Sequence, residues 1–117
     1  MRNLNIILVS KIHFNISAEE FVDLATKVAQ ELNDRSMYNW KIWMLDREKK
    51  VGATVYYLEN MEQVSIVEDY MNTMSLLYEQ LLHKVEMEKY EVLENATRLN
   101  FGPINFNVTE NQSPSMD

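Results

Sequence analysis

The sequence predicts an α+β protomer of β-α-β-β-α-β order, and three observations carry that expectation. An apolar, strand-like run opens the chain, a pair of strands flanks a charged turn in its middle, and two segments of helical period each follow a capping signal. From Leu4 to Phe14, the residues Leu4, Ile6, Leu8, Ile12 and Phe14 alternate onto one face, and Ile7, Val9, Lys11 and His13 onto the other. This is a strand apolar on both sides at its centre, as expected where both faces of a sheet become covered. Ser17 followed by Glu20 forms a capping box. Phe21, Leu24, Ala25, Val28, Ala29 and Leu32 then recur at helical spacing up to the Asn33-Asp34 break.

Tyr38–Leu45 and Val51–Leu58 read as two strands joined through Asp46-Arg47-Glu48-Lys49-Lys50, a hairpin with a charged, solvated tip. Asn60 with Gln63 starts a second helix whose apolar stripe is Met61, Val64, Val67, Met71 and Met74, and Leu76 to Leu82 adds a further turn or two. Lys84–Leu93 alternates charged and apolar residues, as an edge strand does. Residues 1–106 are thus expected to form one ferredoxin-like domain with two helices on one face of a four-stranded antiparallel sheet. From Asn107 to residue 117 the chain is polar and expected to be disordered. The sheet's other face carries Ile7, Val9 and one of the two tryptophans, too apolar to stay wet, so a homodimer is expected.

Composition narrows the function. At 117 residues the chain fits one domain, and the absence of cysteine removes disulfides, thiolate metal sites and a cysteine nucleophile, in keeping with a cytoplasmic setting. A net charge of -7 disfavours nucleic acid and anionic membrane as partners, since both need a basic face. The start of the chain, basic then apolar, returns to polar residues at Lys11 and His13 without a small-residue cleavage site, and reads as a strand rather than a leader. A small hydrophobic or aromatic molecule is the partner that fits best.

The segment Tyr38-Asn39-Trp40-Lys41-Ile42-Trp43, a charged turn, and Gly52-Ala53-Thr54-Val55-Tyr56-Tyr57-Leu58 resembles the signature of the YdhR-type mono-oxygenase family. That family lies within the dimeric α+β barrel superfamily, with the antibiotic-biosynthesis mono-oxygenases and haem-degrading relatives. The resemblance implies two protomers with their sheets face to face and a pocket between each sheet and its helices or loops. It further implies oxidation of a small aromatic or quinol-like compound by molecular oxygen with no cofactor. The alternative is a non-enzymatic dimer of the same fold that binds a small molecule or, through one histidine, haem.

Cofactor-free oxygenation needs a substrate that loses a proton and becomes electron-rich, in a dry pocket with a donor for its oxyanion. The candidate catalytic residues are Asn39, Trp43 and His13, and the candidate substrate-binding residues are Trp40, Lys41 and Tyr56. Asn39 and Trp43 share a strand face, an amide and an indole like those used by some superfamily relatives. Lys41, on that face too, can stabilise a phenolate, or can be a plain solvated lysine. Trp40 points to the opposite face from Trp43. Tyr56 can donate to a substrate oxygen. A five-residue hairpin loop would pair it with Trp40, and a four-residue loop would place it with Lys41 and Trp43. His13 is placed to act as a base near neutral pH. His83, even with Glu86, falls short of metal-ligand spacing, so no metal is expected. Met61, Met71, Met74 and Met87 read as adaptable core.

Overall fold

The computed structural model describes residues 4–34 and 36–107. Its elements are β1 (Ile6–Phe14), α1 (Ala18–Glu31), β2 (Trp40–Asp46), β3 (Val51–Leu58), α2 (Met61–Leu77), β4 (Leu82–Glu91) and α3 (Glu94–Leu99). The four strands form one antiparallel sheet in the order β2-β3-β1-β4, the ferredoxin-like arrangement expected, with β1 between β3 and β4.

Local chemistry starts each helix where the sequence places it. The Ser17 hydroxyl accepts the Glu20 amide at 3.1 Å, and the Glu20 carboxylate accepts the Ser17 amide at 2.9 Å, closing the capping box. Asn60 Oδ1 accepts the Gln63 amide at 2.8 Å at the head of α2. In the hairpin, Asp46 Oδ1 accepts the Lys49 amide and Lys50 takes a left-handed φ of 56°, which turns the chain back into β3.

Both helices cover the same sheet face. Leu8, Tyr56, Leu58 and Ile6 pack with Val64, Val67 and Met71 of α2, while Ile12 and Phe14 pack with Phe21 of α1. The Phe14 and Phe21 rings stack with centroids 4.4 Å apart. Gly52 sits under Phe21, so close that a side chain there has no room.

Several boundaries differ from expectation. The strand begins at Ile6, leaving Leu4 half exposed, and Met61 is exposed at the head of α2 instead of joining its buried stripe. The helix does not continue through Leu76–Leu82. It ends at Leu77, the Leu81 and Leu82 amides both bond to the Tyr78 carbonyl, and β4 begins at Leu82, which pairs with Phe14 across a bulge. Leu93, assigned to the strand's apolar face, is exposed just before α3, a short helix whose polar sequence carries no apolar period to announce it.

Asn107, assigned to a disordered tail, is instead buried: its amide groups donate to the Glu94 carboxylate, with Nδ2 at 2.6 Å from Oε2. The rest of that tail lies outside the described residues. Residues 102–107 cross the sheet face opposite the helices. The Trp40 indole donates to the Pro103 carbonyl at 2.8 Å, and the Asn105 amide donates to the Tyr57 hydroxyl at 2.8 Å. That crossing buries Tyr57 on the face away from the helices.

Candidate active site

Alternation along β2 sends Lys41 and Trp43 toward the helices and Trp40, Ile42 and Met44 to the opposite face, and the strand begins at Trp40, leaving Asn39 just before it. The hairpin loop has four residues, because Asp46 pairs with Val51. Lys41 is therefore opposite Tyr56, and Trp43 opposite Thr54. Of the two registers left open by the sequence, this one puts Tyr56 beside Lys41 and Trp43. Trp40 pairs with Tyr57 instead.

Under α1 and α2 lies a narrow apolar pocket of about 40 Å³, partly open to solvent. The sheet supplies Lys41, Trp43 and Thr54 as its floor, α1 supplies Phe21, Leu24 and Val28, and α2 supplies Tyr70, Met71 and Met74. Its polar groups are few. The Thr54 hydroxyl is paired with Ser10 at 2.5 Å, and the Tyr56 hydroxyl donates to Met71 Sδ at 3.4 Å beside the pocket.

Lys41 is the charge in this setting. Its Nζ lies 4.1 Å from the centre of the Trp43 ring and 4.6 Å from that of Tyr56. Arg47, Lys84 and Lys89 are each paired with a glutamate, but no carboxylate of the described residues reaches Lys41. Burial without an anion lowers its pKa to about 8. The two ring faces return part of the lost hydration to the ammonium. Burial raises the Tyr56 phenol well above its usual value, with lesser contributions from Tyr70 and Tyr38, so it stays an O–H donor. Tyr70 is likewise raised, to about 12, chiefly by burial.

The other candidates lie outside the pocket. Asn39, expected on the strand face of Lys41, precedes the strand and is not on the pocket wall. Its backbone amide donates to the Tyr57 carbonyl at 2.9 Å, and its buried Oδ1 has no donor among the described residues. Trp40 faces away, under residues 102–107. His13 also faces away from the helices. Its Nε2 is 3.1 Å from Glu86 Oε1, its ring is 5.7 Å from that of His83, and it lines a separate recess with Lys11, Met44 and Lys49. Among the described residues no group of three His, Cys, Asp or Glu side chains could hold a metal ion.

Sequence reasoning missed the α2 wall. Tyr70, Met74 and Tyr78 recur every four residues, a spacing that puts them on one stripe, and all three face the pocket. That spacing was the available signal.

Residues 7–103 match the family described as Putative mono-oxygenase ydhR. The chain belongs to that family. The match runs from β1 through α3 and so takes in the whole ydhR sheet and both helices that wall the pocket. A search of curated proteins gave no match. Among the described residues, no helix of this ydhR-family protein is long and apolar enough to cross a membrane.

Proposed function

We propose that this member of the ydhR family is a cofactor-independent mono-oxygenase of a small aromatic or quinol-like compound, working as a homodimer in the cytoplasm. The observation that carries the reading is the Lys41 amine, which no carboxylate of the described residues reaches, set beside the Trp43 and Tyr56 rings at the floor of an apolar pocket.

In its ammonium form, Lys41 attracts a phenolate or enolate oxygen, and the low-polarity walls strengthen that attraction. Favouring the anion makes the neighbouring carbon electron-rich enough to react with oxygen. In a substrate whose methylene is flanked by two aryl rings, oxygen adds at that carbon to give a hydroperoxide. Loss of water then leaves a carbonyl: one oxygen atom enters the product, and the other departs with the two methylene hydrogens. Trp43 supplies the aromatic wall, and Tyr56 a protonated phenol that can turn from Met71 Sδ to a substrate oxygen. Asn39 precedes β2 and is off the pocket wall, so it takes no part in this proposed site. Trp40 and His13 lie outside this proposed site.

The dimer reading is supported by the sheet's second face, where Ile42 and Met44 are about half exposed beside Val9 and Val55. A second copy would cover them, and light scattering during size exclusion measures it directly.

The functional test is oxygen uptake by purified, metal-free protein with anthrones, dihydroxynaphthalenes and quinols, with tryptophan fluorescence read in parallel. Protein-dependent uptake that Lys41→Met abolishes supports the reading. Fluorescence quenching without uptake would replace it with a binding protein.

A further inference from the structure

The lysine at the pocket floor also suits a second chemistry, independent of oxygen. We propose that Lys41 forms a reversible imine with small apolar aldehydes, aromatic ones above all, that enter the pocket between α1, α2 and the sheet.

Three features of the site carry this. The amine is placed at a cavity floor rather than at the surface, with its nitrogen 4.1 and 4.6 Å from two ring centres. No carboxylate of the described residues holds it as an ammonium ion, in contrast to the paired Lys84 and Lys89. The walls are apolar and the pocket is partly open to solvent, so a carbonyl compound can approach Lys41 along a low-polarity surface. Desolvation of a lysine by such surroundings is the usual means of making its nitrogen a nucleophile. With the pKa lowered to about 8, about a tenth of the amine is neutral at pH 7, far more than for an ordinary lysine.

The step balances within the pair of reactants. The neutral nitrogen attacks the carbonyl carbon, the N–C bond forms, and the carbonyl π electrons move to oxygen, which takes one amine proton. The carbinolamine then expels that oxygen as water with the second amine proton, leaving C=N. A flat aryl group conjugated to the new C=N would lie against Trp43, which favours aromatic over aliphatic aldehydes. This inference uses the neutral amine, whereas oxygenation uses the ammonium, so either can fail while the other stands.

The test is reductive trapping. The full chain is incubated with benzaldehyde and sodium cyanoborohydride at pH 7 and pH 8, digested, and each lysine's benzyl adduct quantified by mass spectrometry. The expected result is labelling at Lys41 at least tenfold faster than at Lys27 or Lys49, rising several-fold from pH 7 to pH 8, and loss of the fast phase in Lys41→Arg. Labelling of Lys41 no faster than of the surface lysines, or none at all, overturns the proposal. Because the comparison among lysines is made within the native chain, it holds whether or not the variant folds. Oxygen consumption measured separately reports on the oxygenase reading alone.

Discussion

Lys41 stands directly opposite Tyr56 across the β2–β3 ladder, and its Nζ lies 4.6 Å from the centre of that ring. The pair puts a cation on the helix-covered face of the sheet, where the neighbouring positions are otherwise apolar or hydroxyl-bearing. An amine buried there with no anion among the described residues beside it costs the fold stability.

Replacing Lys41 by Met should therefore stabilise the protein at pH 7. The shift from 10.5 to about 8 corresponds to roughly 3 kcal/mol, from which about 1 kcal/mol of cation–π attraction is lost in the variant, leaving a gain of about 2 kcal/mol. The sign follows from proton binding. Between pH 8 and 10.5 the unfolded chain holds the proton more tightly than the folded one, so wild-type stability rises with pH through that window. Urea unfolding of both proteins from pH 7 to pH 10.5 should show the variant's advantage in full up to about pH 8 and shrinking above it. A constant difference would refute the burial argument.

Trp43→Ala should weaken the binding of naphthol-type ligands about tenfold, or about 1.4 kcal/mol, through loss of the aromatic wall. The variant should remain folded and in the same oligomeric state as the wild type, the proposed dimer, because Trp43 is only partly buried and flanks the Phe14–Phe21 cluster without being its centre. Titration by calorimetry alongside light scattering separates the two effects. Loss of the dimer would make the residue structural.

Gly52→Ala should lower stability by about 1–2 kcal/mol. A Cβ at that position would sit 2.3 Å from Phe21 Cζ, and Phe21 is held by its stack on Phe14. The entropy removed from the unfolded chain returns less than 1 kcal/mol. The expected fall in Tm is roughly 5–10 °C. A companion Phe21→Leu change that restores the Gly52→Ala protein would confirm the clash as the cause.

Tyr57→Phe should cost about 1–3 kcal/mol, because the Tyr57 hydroxyl donates to Asn5 Oδ1 at 2.6 Å and accepts the Asn105 amide at 2.8 Å. Truncation after Asn107, by contrast, should leave the Tm within a few degrees of the full chain, since the remaining residues are polar. If truncation costs as much as Tyr57→Phe, the final ten residues pack against the domain.

The sequence by itself determined the order of the four strands and two main helices, the starts of those helices and the family. Those depend on neighbours within a few positions: Ser17 with Glu20, Asn60 with Gln63, and alternation from Ile6 to Phe14. It also named Lys41, Trp43 and Tyr56 among six candidates, with Asn39, Trp40 and His13, and put Lys41 and Trp43 on one face, but could not choose the face of Tyr56. That choice depends on whether the hairpin loop holds four residues or five, and one residue inverts every side chain of a strand. Tertiary structure also decided that His13 faces away from the pocket, that Tyr70 and Tyr78 wall it, and that Asn107 is buried against Glu94. Each of these results from contacts between segments distant in the chain, where packing and hydrogen bonds outweigh local propensity, and only the wall of Tyr70, Met74 and Tyr78 leaves a periodic trace in the residues themselves.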